Sequence, residues 1–202
     1  MRLFYAPGAC SLSPHIVARE AGIDLEFEKV DLKTKKTTRG ADYLEINPKG
    51  AVPALQLDNG EILTEGPVIV QYLADQRPQA GLAAAQGTFA RYRLLEMLGF
   101  INSEIHKGYS PLFNPAISAA ERTETTTYLQ KRYRFIESQL QKHIYLLGDQ
   151  YSVADAYLFT VTNWADSLSV DLSSFPQVLA FQKRIAARPA VQAVMKAEGL
   201  IP

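Results

Sequence analysis

Two rhythms of apolar residues divide this chain. Through roughly the first eighty positions, short apolar runs alternate with amphipathic stretches, and beyond them apolar residues recur at helical spacings of three and four. Arg2 to Tyr5 is a short apolar run stopped by Pro7-Gly8, the pattern of a buried strand followed by a loop. Ser11 or Ser13 then caps a predicted helix with Pro14 in its first turn, Ile16, Val17 and Ala21 among its apolar positions and Gly22 at its stop. Leu25 to Val30 predicts a second strand, with Leu25 and Phe27 on the face opposite Glu26 and Glu28. The lysine-rich stretch Asp31 to Gly40 reads as loop, with a helical turn near Ala41 to Leu44.

Val52 to Leu57, the turn Asp58-Asn59-Gly60 and Glu61 to Leu63 predict a β-hairpin. Gly66-Pro67 opens a helix carrying Val68, Ile69, Tyr72 and Leu73. The order is βαβ then ββα, in which a right-handed crossover gives a parallel strand pair and the hairpin adds an antiparallel edge, a thioredoxin-like layout. Arg77 to Gly81, punctuated by proline and glycine, is the candidate linker. Beyond it, Phe89, Tyr92, Leu95 and Met97 to Ile101 predict a helix reaching about Lys107, and Leu129, Tyr133, Ile136 and Leu140 predict another. Ser152-Val153-Ala154-Asp155 has the form of a capping box, starting a helix that runs to about Trp164. Helices from about Pro176 to Ala187 and from about Pro189 to Ala197 follow. The expected organisation is α/β plus all-α, with a thioredoxin-like domain over 1–80 and an all-helical domain over 88–202.

Composition removes several classes of function. With 202 residues, 47% of them hydrophobic, and 21 basic side chains against 21 acidic, the chain can bury a core and is not of the disordered type. It lacks the basic excess that drives non-specific nucleic-acid binding, so no nucleic-acid partner is expected. No apolar run approaches the roughly 18 residues that span a bilayer, so no membrane partner is expected either. The apolar start, Met1 to Tyr5, meets Pro7-Gly8 too soon to form a signal-peptide core, and one cysteine cannot make an internal disulfide. A cytoplasmic protein is the expectation.

That cysteine, Cys10, is the most informative residue. It falls between the first strand and the first helix, where unpaired backbone N–H groups and the helix dipole favour a thiolate. The competing reading is a buried cysteine acting as a small hydrophobe. Cys10-Ser11-Leu12-Ser13 offers no second thiol, so an oxidised Cys10 would pair with an external one. Val52-Pro53 enters a strand; with the bond cis, the Val52 backbone would be left to pair with an extended peptide, and otherwise Pro53 merely starts the strand. At Glu65-Gly66-Pro67, the Gly66 N–H can receive a carboxylate and Glu65 an ammonium group, together the head group of an amino acid; the plainer role is an acidic residue on a helix dipole. Ser103-Glu104-Ile105-His106-Lys107 reads as a solvated helix end or as a cationic pair near a thiol. Lys33, Lys35 and Lys36 form a basic run that faces solvent or reaches an anion. No histidine, cysteine and carboxylate spacing resembles a zinc site, and neither a glycine-rich phosphate loop nor a nucleophilic serine motif is present, so no metal is expected.

Taken together, these features resemble the glutathione S-transferases. The run Phe4-Tyr5-Ala6-Pro7-Gly8-Ala9-Cys10-Ser11-Leu12-Ser13 is similar to the signature of the bacterial beta class. So are Asn47 to Leu55, Leu63 to Pro67, Glu104 to Lys107 and Ser152 to Phe159. The resemblance covers essentially the whole chain, and the cysteine separates this class from those that use tyrosine or serine. It implies glutathione as co-substrate, with its thiolate conjugated to a small hydrophobic electrophile, and a homodimer; Phe89 and Tyr92 could contribute to its interface or equally belong to the core. Cys10 would contact the glutathione sulfur. Val52 would pair with the cysteinyl backbone beside Pro53, Glu65 and Gly66 would hold the γ-glutamyl end, and Lys35 would approach the glycine end. Ser103, Glu104, Ile105 and His106 would line the junction with the helical domain, with His106 catalytic near the sulfur and Lys107 beside it; Tyr5 would be secondary. Close relatives often carry a polar residue at the place of Gly99, which here offers only its backbone. Two other functions share these residues: a glutaredoxin-like thiol-disulfide oxidoreductase or reductive dehalogenase cycling through a mixed disulfide at Cys10, and a non-catalytic binding module. Retention of Cys10, Val52-Pro53 and Glu65 together argues against the last.

Overall fold

The computed structural model describes all residues from Met1 to Pro202. Its packing follows space and not chain order: Met1–Ala83 together with Arg188–Pro202 form one compact unit, and Ala84–Ala187 form another.

The first unit is built on a five-stranded sheet ordered β3-β2-β1-β4-β5, with β1 Arg2–Tyr5, β2 Glu26–Asp31, β3 Lys36–Thr37, β4 Ala54–Gln56 and β5 Ile62–Thr64. β1 and β2 are parallel, joined through the helix α1 Leu12–Glu20, while β1 with β4 and β4 with β5 are antiparallel. This is the expected thioredoxin-like arrangement. Leu3 and Phe4 point to opposite faces of β1 and both are buried, so the strand is covered on both sides. Phe4 packs with Ala6, Val30, Tyr43, Val52 and Ala54, which ties the sheet to the short helix α2 Tyr43–Ile46. α3 Gly66–Asp75 buries Ile69, Val70 and Leu73.

Two expectations about the sheet differ from the structure. In β2 it is Glu28 and Val30 that are buried, whereas Phe27 is exposed. Glu28 is tolerated inside because Arg2 and Arg39 approach its carboxylate at 3.3 and 3.6 Å, and Phe27 stacks on the His15 ring at a centroid distance of 3.9 Å. Lys36–Thr37, expected in a loop, is a strand. The Asp31 carboxylate accepts the N–H groups of Lys33 and Thr34 at 2.8 and 3.1 Å, turning the chain back so that β3 pairs with the end of β2.

Helix α9 Pro189–Ala197 completes this unit by packing on α1. Arg188 holds both carboxylate oxygens of Glu20, at 2.6 and 2.9 Å.

The second unit is helical. α4 Phe89–Phe100 passes into a π-helical turn, Ile101–His106, and then a 3₁₀ stretch, Lys107–Phe113, so the segment expected to stop near Lys107 stays helical for six residues more. α5 Ala119–Leu140 buries Leu129, Tyr133, Ile136 and Leu140, the residues whose spacing predicted it. α6 Val153–Thr162 is buried on every side, which its almost uniformly apolar sequence requires. α7 Trp164–Ser167 and α8 Pro176–Ala186 follow. The amino end of α8 is held by the buried Glu137 carboxylate, which accepts the N–H groups of Gln177 and Val178 at about 3.0 Å. Tyr109, Tyr133 and Thr162 join their hydroxyls in a buried chain.

Candidate active site

The turn from β1 into α1 carries Cys10 two residues ahead of the first helical residue. Neither nearby serine caps the helix as expected. The Ser11 hydroxyl accepts the Ala6 N–H and donates to the Ala6 carbonyl, while Ser13 donates to the Cys10 carbonyl at 2.8 Å. Both therefore fix the loop around the cysteine. A third brace comes from the other end of the chain: Glu198, whose carboxylate is fully buried, accepts the Gly8 N–H at 3.0 Å and lies 2.8 Å from His15 Nδ1. Gly8 needs its positive φ of 69°, and Leu200 leaves a side chain there little room.

The Cys10 thiol donates to the Val52 carbonyl across 3.1 Å. Val52 belongs to a run in which three successive carbonyls are occupied. Lys35 Nζ donates to the Gly50 carbonyl at 2.7 Å, and Tyr43 Oη and Asn47 Nδ2 both donate to the Ala51 carbonyl at 2.8 Å. Burial raises the Tyr43 phenol above its usual range, which keeps it a donor. Val52–Pro53 is cis. The Val52 N–H has no partner within the protein.

Gly66, the first residue of α3, lies beside Pro53, and its N–H points out of the helix end with no internal acceptor. Glu65 precedes it at φ 71°, a conformation that side chains other than glycine rarely take. The Glu65 carboxylate is exposed and pairs with Lys49 Nζ at 2.7 Å. Cys10, Val52, Pro53 and Gly66 are thus brought together directly, Glu65 adjoins them, and Lys35 supports the same segment from below through Gly50. Tyr5 packs edge-on to His15 and Phe27, and burial followed by the Glu198 charge raises its phenol, away from what an activated phenolate requires.

In the second unit the expected residues serve different ends. Ser103 donates to the Gly99 carbonyl at 3.0 Å, so the Gly99 backbone is already engaged. Hydrogen bonding from Tyr128, then from Arg132, holds the Glu104 carboxyl below the usual carboxylate range, with Arg132 Nε at 2.6 Å. Ile105 is fully buried, and Lys107 is exposed. His106 Nδ1 lies 2.6 Å from the Tyr157 hydroxyl, which donates to Asn102 Oδ1 at 2.8 Å, and the imidazole also packs against Trp164. Sequence reasoning missed Glu198, Asn47, Tyr43 and Tyr157. Asn47 and Tyr157 lie inside the motifs quoted, but nothing local marks them as donors or acceptors to the site. No cluster of histidine, cysteine and carboxylate side chains suited to a metal is assembled.

Comparison with known proteins gives the following. The family description "Glutathione S-transferase, N-terminal domain" matches residues 8–76, and "Glutathione S-transferase, C-terminal domain" matches residues 100–189. Glutathione S-transferase GstA of Escherichia coli O157:H7 is 44% identical over 200 residues, covering 99% of this chain and 100% of that one. A glutathione transferase structure from Methylococcus capsulatus is 57% identical with a TM-score of 0.97, covering 99% of each chain. Two sphingomonad glutathione S-transferases, one complexed with glutathione and the other a beta-class enzyme from Sphingomonas chungbukensis, are each 46% identical with TM-scores of 0.96 and full coverage of both chains.

Proposed function

The chain belongs to the glutathione S-transferase family, and from that premise we propose how its first unit takes glutathione and activates it. It is a glutathione S-transferase of bacterial beta-class type, with glutathione as co-substrate. The observation that carries the proposed geometry is the 3.1 Å contact of the Cys10 thiol with the Val52 carbonyl, which puts a sulfur at the backbone expected to bind a peptide. The cysteinyl residue of glutathione would lie antiparallel to Val52, giving its N–H to the Val52 carbonyl and taking the Val52 N–H. The γ-glutamyl carboxylate would sit on the Gly66 N–H, where the α3 dipole favours an anion, and the ammonium group on Glu65. Lys35 would face the glycine carboxylate. This binding leaves the glutathione sulfur beside Cys10, whose S–H and neighbouring helix donors stabilise a thiolate.

The proposed reaction is attack of that thiolate on a small hydrophobic electrophile, with His106 proposed as a catalytic residue. Ser103, Glu104, Ile105, Lys107 and Gly99 are proposed contributors only through backbone or position, given the bonds that already occupy Ser103, Glu104 and Gly99 and the burial of Ile105. A homodimer is part of the proposal. It is supported by the exposure of Phe89, Tyr92 and Leu95 along one face of α4. A cytoplasmic setting is also part of the proposal. No helix is long and apolar enough to cross a membrane.

A second reading is favoured by the same contact: the Cys10 thiolate attacks the glutathione sulfur of a mixed disulfide between glutathione and another thiol, releasing that thiol and forming a Cys10–glutathione disulfide, which a second glutathione thiolate cleaves to restore Cys10 and release glutathione disulfide. Calorimetric titration with glutathione, followed by a panel of aromatic-halide conjugation, mixed-disulfide reduction and peroxide reduction, tests both readings. Absence of glutathione binding would end them; conjugation without disulfide reduction would retain the first alone.

A further inference from the structure

Apart from the residues assigned to glutathione, the first unit holds a cavity of about 360 Å³ between α1, β2 and α9. That is the small end of the range for ligand pockets, enough for one substituted aromatic ring. Its walls are apolar and aromatic: the rings of Tyr5 and Phe27 stand edge to face with centroids 6.2 Å apart, and α9 contributes Val194 and Ala197. Four polar side-chain groups line it with no partner inside the protein. The His15 side chain is nine-tenths buried and commits Nδ1 to Glu198, yet Nε2 bonds to nothing in the protein and is not sealed off from the cavity. The Glu198 carboxylate already accepts the Gly8 N–H, so it takes the Nδ1 proton as well, and neutral His15 offers a lone pair at Nε2. The Tyr5 hydroxyl makes no hydrogen bond, and burial followed by the Glu198 charge raises it, which keeps it a donor. Arg19 stands four residues after His15 on the same face of α1, exposed and without an ion pair. The fourth group is the exposed carboxylate of Asp24, which is not paired with Arg19.

We propose that this cavity binds a single-ring aromatic carboxylate that carries a hydroxyl group, at a site separate from that of glutathione. The ligand hydroxyl gives its proton to His15 Nε2 and accepts the Tyr5 O–H, so two groups that face the cavity unsatisfied are satisfied together. The ring lies against Tyr5 and Phe27. The carboxylate meets Arg19 at the mouth, where a guanidinium can hold both oxygens. Helix neighbours four positions apart are about 6 Å apart at Cβ, so a ring with its two substituents at opposite ends can engage His15 and Arg19 at once. Exposure decides which end goes where: the neutral acceptor is the buried one, and the charge that needs no desolvation is at the rim.

The test titrates the full-length ¹⁵N-labelled protein with 4-hydroxybenzoate, followed by amide and imidazole shifts and by calorimetry. A Kd of about 1 mM or tighter is expected, with shifts centred on Tyr5, His15, Phe27 and Val194, both without glutathione and with glutathione at saturation. Benzoate should bind about tenfold more weakly, because it leaves Nε2 unpaired, and 4-hydroxybenzylamine should not bind. Arg19→Ala should weaken 4-hydroxybenzoate about tenfold and leave glutathione-dependent conjugation unchanged. His15→Asn keeps a donor for Glu198 but has no atom in the place of Nε2, so it should abolish the preference for the hydroxylated acid. Absence of shifts at these residues with several millimolar probe would overturn the proposal. So would displacement of the acid by glutathione, which would put it in the glutathione site, and so would preference for the amine, which would make Asp24 the group that reads charge. Undiminished binding in both variants would overturn it as well.

Discussion

The Cys10 thiol and the Val52 carbonyl share a hydrogen bond across 3.1 Å although 42 residues separate them along the chain. The proposed peptide-binding backbone and the proposed sulfur-binding group are therefore one structural feature. Cys10→Ala removes the only thiol but leaves Val52, Gly66 and the α1 donors in place. Conjugation of an aromatic halide should keep a substantial share of its rate, because it needs only a stabilised glutathione thiolate, whereas reduction of a mixed disulfide should be lost. Equal losses in the two assays, measured on the same preparation, would overturn this division of roles.

The carbonyl of Ala51 is held by two donors, and Asn47 is almost completely buried. Asn47→Ala deletes one donor, leaves Tyr43 as the other, and frees the segment carrying Val52. A loss of about 1–2 kcal/mol in urea unfolding is expected, along with a raised KM for glutathione and a smaller change in kcat. An unchanged KM would show that Tyr43 alone fixes Val52.

Elements with a strong local signal were legible in the sequence. Pro14 and Pro67 in first helical turns, Asp58-Asn59-Gly60 between two apolar runs, and the Ser152–Asp155 capping box each announced their structures from a few adjacent residues. Phe27 and Glu28 reversed expectation because the factor deciding burial is Arg2 and Arg39, brought in by strand pairing and by a loop. The site divides in the same way. Cys10, Val52-Pro53 and Glu65-Gly66 stand in recognisable motifs, while Glu198 braces Gly8 and His15 from more than 180 positions away. Tyr157 lies in the helix after the capping box, yet its bond to His106 spans 51 residues. Local pattern reveals which backbone turns occur, but not which distant side chain completes them.

Lys49 and Glu65 form an exposed pair at 2.7 Å, and Glu65 is the proposed partner of the glutathione ammonium group. Both functions use the same carboxylate, so the lysine competes with the ligand. Lys49→Ala should leave glutathione affinity equal or tighter, while Glu65→Ala should weaken it by about tenfold, the loss of a charge-assisted hydrogen bond. Raised salt should weaken the unaltered protein's affinity as the ammonium contact is screened. Weaker binding in Lys49→Ala would instead make the lysine a helper that orients Glu65.

Asp155 closes the capping box of α6 from inside the protein. Its carboxylate accepts the Leu146 N–H at 2.9 Å and the Ser152 N–H and hydroxyl at 2.8 Å, so it ties the start of α6 to the chain before it. These bonds favour the ionised form, but burial outweighs them and pushes the carboxyl up to about 6. The folded state therefore binds a proton more tightly than the unfolded chain. The contribution of Asp155 is then full below the ordinary carboxylate range, near pH 4, and is lost as pH rises through about 6. Asp155→Ala leaves two buried N–H groups without acceptors and should cost about 3 kcal/mol near pH 7. Because the variant lacks the titrating group, its deficit should grow by about 1 kcal/mol between roughly pH 7.5 and pH 5. Urea unfolding of both proteins at the two pH values checks the sign. A deficit that shrinks on acidification would mean that the hydrogen bonds, and not burial, govern this carboxyl, and that Asp155 caps α6 more strongly as an anion.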